Sequence, residues 1–330
     1  MQKVLLLTSR KRIEKYTDFS KIPRGWQLVF LDSDYQEEAA LEKGGDADYI
    51  IVDAVSPVSS RLIERMPNLR LIHSEGSGFN RIDTQAAREA GVYVCNNPAL
   101  NSGAVAEQTI LLMLALLRRF QEGDSLVRTG NQGKAKSLFI LNGIPELKSC
   151  HVGLVGFGHI GKATAALLAA FGSKVSYYSR HRLSVQEEKE LGVGYLPLSE
   201  LASSCDIVSL HLPVTPETTG LIDHGFLQKM KSSAFLINTA RGEIVDQAAL
   251  AQALEDGSIA GAGLDTLYPE PADFQNPLLQ LSESCKYRIV FSPHIGGTTD
   301  GSFYRMHRNT WNNLFLAAAG KRPNNIVNGL

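Results

Sequence analysis

Charge of one sign is what this sequence most plainly lacks: 33 Lys and Arg stand against 34 Asp and Glu, a net charge of -1. A chain-wide basic footprint for nucleic acid is thereby excluded. Cysteine is scarce and scattered: Cys95, Cys150, Cys205 and Cys285 form no CxxC pair, so neither a zinc knuckle nor a dithiol motif is written, and no metal site is expected. Buried, reduced thiols in a cytoplasmic setting fit best. Long apolar runs are missing too. The stretch around Ile110–Leu117 falls far short of the roughly 20 residues that span a bilayer, so no membrane partner is expected. The basic cluster Arg10, Lys11 and Arg12 follows the apolar run Val4–Leu7 instead of preceding it, the reverse of a secretory leader.

What is present is a globular composition, 44% hydrophobic and 20% charged with 29 Gly and 13 Pro. A length of 330 residues leaves room for about two domains. Short apolar, β-branched runs (Val4–Leu7, Leu28–Leu31, Tyr49–Val52, Leu69–His73, Val92–Cys95) alternate with helical patterns at Tyr35–Lys43, Ser60–Arg65 and Thr84–Ala90. That rhythm predicts βαβ units and a parallel sheet. One long helix, Asn101–Arg119, interrupts it, and a polar, glycine-containing stretch, Gln121–Lys136, follows. A second series runs through Cys150–Val155, Lys174–Tyr178, Asp206–Leu210, Ala234–Asn238, Gly261–Asp265 and Arg288–Phe291, and the helix Thr299–Ala319 closes the chain. The two long helices are expected to be the crossings between domains.

At the head of the second series, Val152–Ala165 contains Gly156-Phe157-Gly158-His159-Ile160-Gly161, a GxGxxG between an apolar strand and an Ala-rich helix. Gly156 suits the tight turn, Gly158 close backbone approach to a pyrophosphate, and Gly161 helix–strand packing. The pyrophosphate would lie on the helix N-terminus, where unpaired N–H groups and the helix dipole favour an anion. The next strand should end in Asp or Glu if it is to bind the ribose 2′-OH of NAD. It ends instead in Ser179, Arg180, His181 and Arg182. With no carboxylate and two guanidinium groups able to fork onto a phosphate, NADP(H) is expected ahead of NAD(H).

Six ordered segments then carry a family resemblance: Asn96–Glu107, the fingerprint Gly156–Gly161, His211–Ile222 (His-Leu-Pro-Val-Thr-Pro-Glu-Thr-Thr-Gly-Leu-Ile), Leu236–Asp246 with its Asn-Thr-Ala-Arg-Gly, Gly263–Pro271 with its Tyr-Pro-Glu-Pro, and Ser292–Gly297 (Ser-Pro-His-Ile-Gly-Gly). In these the chain resembles the D-isomer-specific 2-hydroxyacid dehydrogenases, and among them the NADPH-dependent glyoxylate/hydroxypyruvate reductases. The resemblance implies two doubly wound parallel-sheet domains: a flavodoxin-like, discontinuous substrate domain of residues 1–100 and 295–330, and an inserted Rossmann domain of residues 101–294. It also implies a homodimer formed through the long helix and the loops near it. Domain closure is expected to bend the chain near Asn97–Asn101 and Pro293–Gly296.

The resemblance further implies roles. Arg241 matches the arginine that grips a 2-oxo acid, His294 the general acid and base, and Glu270 the carboxylate paired with it. A guanidinium can fork onto a carboxylate and polarise a carbonyl. Histidine, with an ordinary pKa of about 6.5, works in either direction. A neighbouring negative charge favours the imidazolium and keeps a proton available. Ser77 and Gly78 match the loop whose N–H groups receive the substrate carboxylate. His211, Leu212, Pro213 and Thr218 match the adenosine side of the cofactor site. Thr109, Thr239, Ala240, Asp265 and Gly296 match the nicotinamide side, with Asp265 expected at the carboxamide. Two departures stand out: Asn80 replaces the family's usual Asp, and Ser137–Ile144 replaces a Gly- and Trp-bearing segment.

The expected activity is hydride transfer between the nicotinamide and C2 of a small 2-oxo acid or D-2-hydroxy acid. A nicotinamide-sensing corepressor is the alternative of a different class, disfavoured by the complete Arg241, Glu270 and His294 set. A phosphoglycerate dehydrogenase is the other enzyme alternative, disfavoured by the lack of a regulatory domain after Leu330.

Overall fold

The computed structural model describes residues 2–32, 34–54 and 56–330. The chain forms two compact units, Met1–Asn101 with Thr298–Leu330 and, between them in sequence, Ser102–Gly297. The first contains a five-stranded parallel sheet of β1 (Lys3–Leu7), β2 (Gln27–Leu31), β3 (Tyr49–Val52), β4 (Leu71–Ser74) and β5 (Tyr93–Cys95). Its spatial order is β2-β1-β3-β4-β5, the flavodoxin-like winding. The central strands β1, β3 and β4 are buried on both faces, as near-continuous apolar runs require in a parallel sheet. On one face the long helix Asp300–Ala318 lays Trp311, Leu314 and Ala317 against Val4, Leu6, Tyr49 and Leu71.

The second unit has seven parallel strands: β6 (His151–Val155), β7 (Lys174–Tyr178), β8 (Val193–Tyr195), β9 (Ile207–Leu210), β10 (Phe235–Asn238), β11 (Gly261–Leu264) and β12 (Ile289–Phe291). Their order is β12-β11-β10-β9-β6-β7-β8, so the winding reverses between β6 and β9. In such sheets ligands bind outside the strand C-termini at this switch point, where GxGxxG lies. The helix Ser102–Leu117 packs its buried face, including Leu112, Met113 and Leu116, with Ile237 of β10 and Val290 of β12.

The Gln121–Lys136 stretch, read as a polar connection, is instead covered by two helices, Phe120–Arg128 and Gln132–Asn142. The reason is packing: the Phe139 ring lies against Gly123, and the Arg119 guanidinium sits 4.7 Å over that ring. Two further elements, the helix Arg10–Tyr16 and the strand β8, have no counterpart in the sequence reading. Among the described residues no helix is long and apolar enough to cross a membrane.

Candidate active site

The fingerprint turn is defined by what would not fit in it. Gly156 has φ +98°, and a Cβ there would lie 2.3 Å from the carbonyl oxygen of His211. A Cβ on Gly161 would lie 2.4 Å from the carbonyl oxygen of Gly156. Gly158 differs, because a Cβ would meet nothing within 4 Å. The backbone therefore faces open space at the head of the helix His159–Phe171, whose N-cap, Gly158, offers no side-chain oxygen to the first N–H groups. Uncapped donors facing open space, with the helix dipole behind them, suit a pyrophosphate. Phe157 is buried against Tyr177, ring centroids 4.4 Å apart. His211 donates its backbone N–H to Val155, bridging the switch point (2.7 Å). Burial pushes the His211 imidazole down to about 3, so it is neutral. Thr218 shapes the following loop by donating to the Pro213 carbonyl (2.7 Å) while accepting from the Thr215 N–H (2.8 Å).

The two arginines after β7 occupy different situations. Arg182 forks onto the Glu188 carboxylate (2.8 and 3.0 Å) and lies 5.0 Å over the Tyr195 ring. Its guanidinium is already satisfied by the bidentate geometry that would hold a phosphate. Arg180 is exposed, 3.9 Å from an equally exposed Glu217, and is free to take a new anion.

Deeper in the unit, Thr109 and Thr239 are buried and join through their hydroxyls at 2.9 Å. Asn238, at the end of β10, folds the next turn by donating to the Arg241 carbonyl (2.8 Å) and accepting from the Ala240 N–H (3.0 Å). A Cβ on Gly242 would lie 2.3 Å from the Leu267 backbone. The peptide beside Arg241 thus rests directly on the stretch that leads to Glu270.

His294 and Glu270 meet, Nδ1 to Oε1 at 2.6 Å, and both side chains are half-exposed. His294 has φ +54°, an uncommon value for a residue with a Cβ. Asp265 surrounds it: its carbonyl accepts from the His294 N–H (2.8 Å), while its carboxylate accepts from the Ile295 N–H (3.0 Å), the Gly296 N–H (2.9 Å) and the Ser292 hydroxyl. The family resemblance implies a place for this carboxylate at a carboxamide. The structure engages both of its oxygens with the loop that carries His294. Gln108 ties Ser292 in from the Ser102–Leu117 helix (2.9 Å). On the Glu270 side, Gln247 and Asn276 both donate to the Tyr268 carbonyl. No sequence signal pointed to Gln108, Gln247 or Asn276, whose partners lie between 8 and 184 positions away.

In the first unit, Ser77 and Gly78 follow β4 in an irregular loop. Among the described residues nothing accepts from the N–H of either.

Comparison with known proteins points to one family. Residues 110–296 match the family model described as D-isomer specific 2-hydroxyacid dehydrogenase, NAD binding domain. The chain is 38% identical over 291 residues to a glyoxylate reductase of Thermofilum pendens, covering 88% of this chain and 84% of that one. The D-lactate dehydrogenase of Aquifex aeolicus, solved with NAD and lactic acid, shares 28% identity with a TM-score of 0.84 and full coverage of both chains. An acyclic imino acid reductase solved with NADPH and D-Arg shares 25% identity with a TM-score of 0.82, covering 99% of this chain and 100% of that one.

Proposed function

The chain belongs to the D-isomer-specific 2-hydroxyacid dehydrogenase family, and from that premise we propose an NADPH-dependent reductase of small 2-oxo acids, glyoxylate and hydroxypyruvate foremost. Oxidoreductase action on 2-hydroxy acids with a nicotinamide cofactor follows from the family. The preference for NADPH and the choice of acid are the further steps. The observation that carries the reading is the His294–Glu270 pair at 2.6 Å, on a loop held by Asp265 in the unit that contains the dinucleotide turn.

When bound, the dinucleotide supplies hydride from nicotinamide C4 to C2 of the oxo acid. Gly156–Gly161 hold its pyrophosphate, and Arg180 takes the ribose 2′-phosphate. Arg241 orients the acid and polarises its carbonyl, and the Ser77 and Gly78 N–H groups receive its carboxylate. His294 gives its proton to the carbonyl oxygen as negative charge develops there, and Glu270 holds the imidazolium in place through Nδ1, leaving Nε2 as the working atom. In the oxidative direction the same nitrogen removes the hydroxyl proton.

Exposed apolar side chains gather in the Ser102–Asn142 region, among them Leu111, Phe120, Ile140 and Leu141. They support a homodimer that buries these side chains, which light scattering on the purified chain tests. The four free, buried cysteines fit a reducing cytoplasm. The deciding experiment is a panel of glyoxylate, hydroxypyruvate, pyruvate and bulkier 2-oxo acids, each with NADPH and NADH. The expected result is turnover of the small acids with the higher kcat/KM for NADPH. Cofactor binding without turnover of any acid would overturn the reading.

A further inference from the structure

Among the described residues, the hydrogen bonds that hold the glycine loop of the first unit come from its carbonyl side. Three successive peptide oxygens each accept a bond: Gly76 from the Asn97 backbone N–H (2.9 Å), Ser77 from the Asn96 side-chain amide (2.7 Å) and Gly78 from the Ser74 hydroxyl (2.6 Å). In a trans peptide the N–H points opposite to the C=O. The N–H groups of Ser77, Gly78 and Phe79 are therefore turned away from these contacts, and among the described residues no acceptor takes any of them. Three adjacent donors left open together make a site for an oxyanion.

The holding groups are themselves fixed. Ser74, Asn96 and Asn97 are buried. The Asn97 amide donates to the Glu75 carbonyl (2.8 Å), the Ser74 carbonyl (3.3 Å) and the Thr310 hydroxyl (3.0 Å), and its oxygen accepts from the Asn309 amide (2.8 Å). Asn309 and Thr310 belong to the helix Asp300–Ala318, so the loop is anchored to a rigid element.

We propose that Ser74, Asn96 and Asn97 are positioning residues that aim the Ser77, Gly78 and Phe79 N–H groups at the carboxylate of the substrate. The proposal rests on the reading above that the substrate is a 2-oxo acid. Without the clamp, the peptides between Gly76 and Phe79 are free to rotate, and a carbonyl oxygen turned outward repels the anion that an N–H attracts. The carboxylate takes no part in the bond changes, so its contacts are the same in the ground and transition states. Their loss raises KM and leaves kcat nearly unchanged.

The test compares Asn96→Ala and Ser74→Ala with the wild type in glyoxylate reduction, with oxalate as a competing carboxylate. The expected result for Asn96→Ala is a rise of roughly 10-fold in both the glyoxylate KM and the oxalate Ki, with kcat within about twofold and an unchanged KM for NADPH. Ser74→Ala, which loses one hydroxyl, should move the same two constants by about 3-fold or more and decides the matter if Asn96→Ala does not fold. Both tryptophans of the chain, Trp26 and Trp311, lie in this unit, so their fluorescence in urea reports its integrity. Folded variants that keep the wild-type KM, or that lose kcat and cofactor affinity along with it, overturn the clamp alone. A wild type that reduces no 2-oxo acid overturns the functional reading and this proposal with it.

Discussion

Glu270 Oε1 lies 2.6 Å from His294 Nδ1, although the two residues are 24 positions apart and sit on separate loops. This contact fixes which imidazole nitrogen is occupied. With Nδ1 held by the carboxylate, Nε2 is the nitrogen left for the proposed proton transfer. His294→Ala is expected to lower kcat for glyoxylate reduction by about 10²–10⁴-fold, the usual contribution of a positioned general acid. Glu270→Gln keeps the shape and removes the charge, and a smaller loss, about 10-fold or more, is expected. Steady-state kinetics with either cofactor checks both, and near-wild-type reduction by His294→Ala would rule out the general-acid role.

Arg180 and Arg182 look equivalent in the sequence and are not equivalent in the fold. Arg182 is forked onto Glu188, whereas Arg180 is exposed and lies 3.9 Å from Glu217. Arg180→Ala is expected to lower the ratio of kcat/KM for NADPH over NADH by about 10-fold or more, the loss of a charge-assisted contact to phosphate. Arg182→Ala should move this ratio less and should loosen the turn before the helix Val185–Leu191. If Arg180→Ala leaves the ratio unchanged, Arg180 has no part in choosing between the two cofactors.

Asp265 ties down the loop bearing His294 with bonds to Ile295, Gly296 and Ser292. Asp265→Asn replaces one acceptor oxygen by a donor that faces a backbone N–H, so at least one of these bonds becomes a clash of donors. His294, at φ +54°, depends on that framework. The expected outcome is a loss of kcat larger than the loss of cofactor affinity. Stability should also fall by about 1–3 kcal/mol, the cost of a buried group left unsatisfied. Kinetics together with a melting curve checks it. Unchanged kcat would mean that the loop holds its shape without the carboxylate.

Much of the sheet architecture was legible because parallel strands are buried on both faces and read as apolar runs. Tyr49–Val52 and Lys174–Tyr178 have the bounds the sequence suggests. The helix Arg10–Tyr16 was missed because Arg10-Lys11-Arg12 reads as a solvated run, with Ile13 its only buried residue. Gln121–Lys136 reads as a polar stretch because Gly123, Gly130 and Gly133 mask two helices, Phe120–Arg128 and Gln132–Asn142, that pack on each other. The Glu270–His294 pair came from family resemblance, since nothing in a spacing of 24 announces a contact. The ties from Gln108, Gln247 and Asp265 were illegible for a physical reason. Each is a hydrogen bond closed by tertiary structure, and an amide or carboxylate in sequence does not disclose its partner.

His73 supplies a pH test of the first unit. It is fully buried on β4, with Nδ1 donating to the Ser74 carbonyl (2.8 Å) and Nε2 accepting from the Asn313 amide (3.0 Å), the pattern of a neutral ring. Burial is the main reason its pKa is pushed down to about 4, outweighing the nearby Glu75 charge, while His307 adds to the depression. An unfolded His73 takes up its proton near 6.5 and the folded one only near 4, so between these values the unfolded state binds more protons. Stability is therefore full above about pH 6.5 and falls as the pH drops toward 4. Glu75 acts in the same direction at lower pH: burial raises its pKa, but the bond to His307 and the Arg12 charge more than offset this and leave it depressed. Tryptophan fluorescence in urea at pH 7 and pH 5 should show the midpoint of this unit falling on acidification. His73→Asn, which keeps a donor for the Ser74 carbonyl and removes the titration, should reduce that fall by about 1–2 kcal/mol. An equally steep fall in the variant would assign the acid sensitivity to another group.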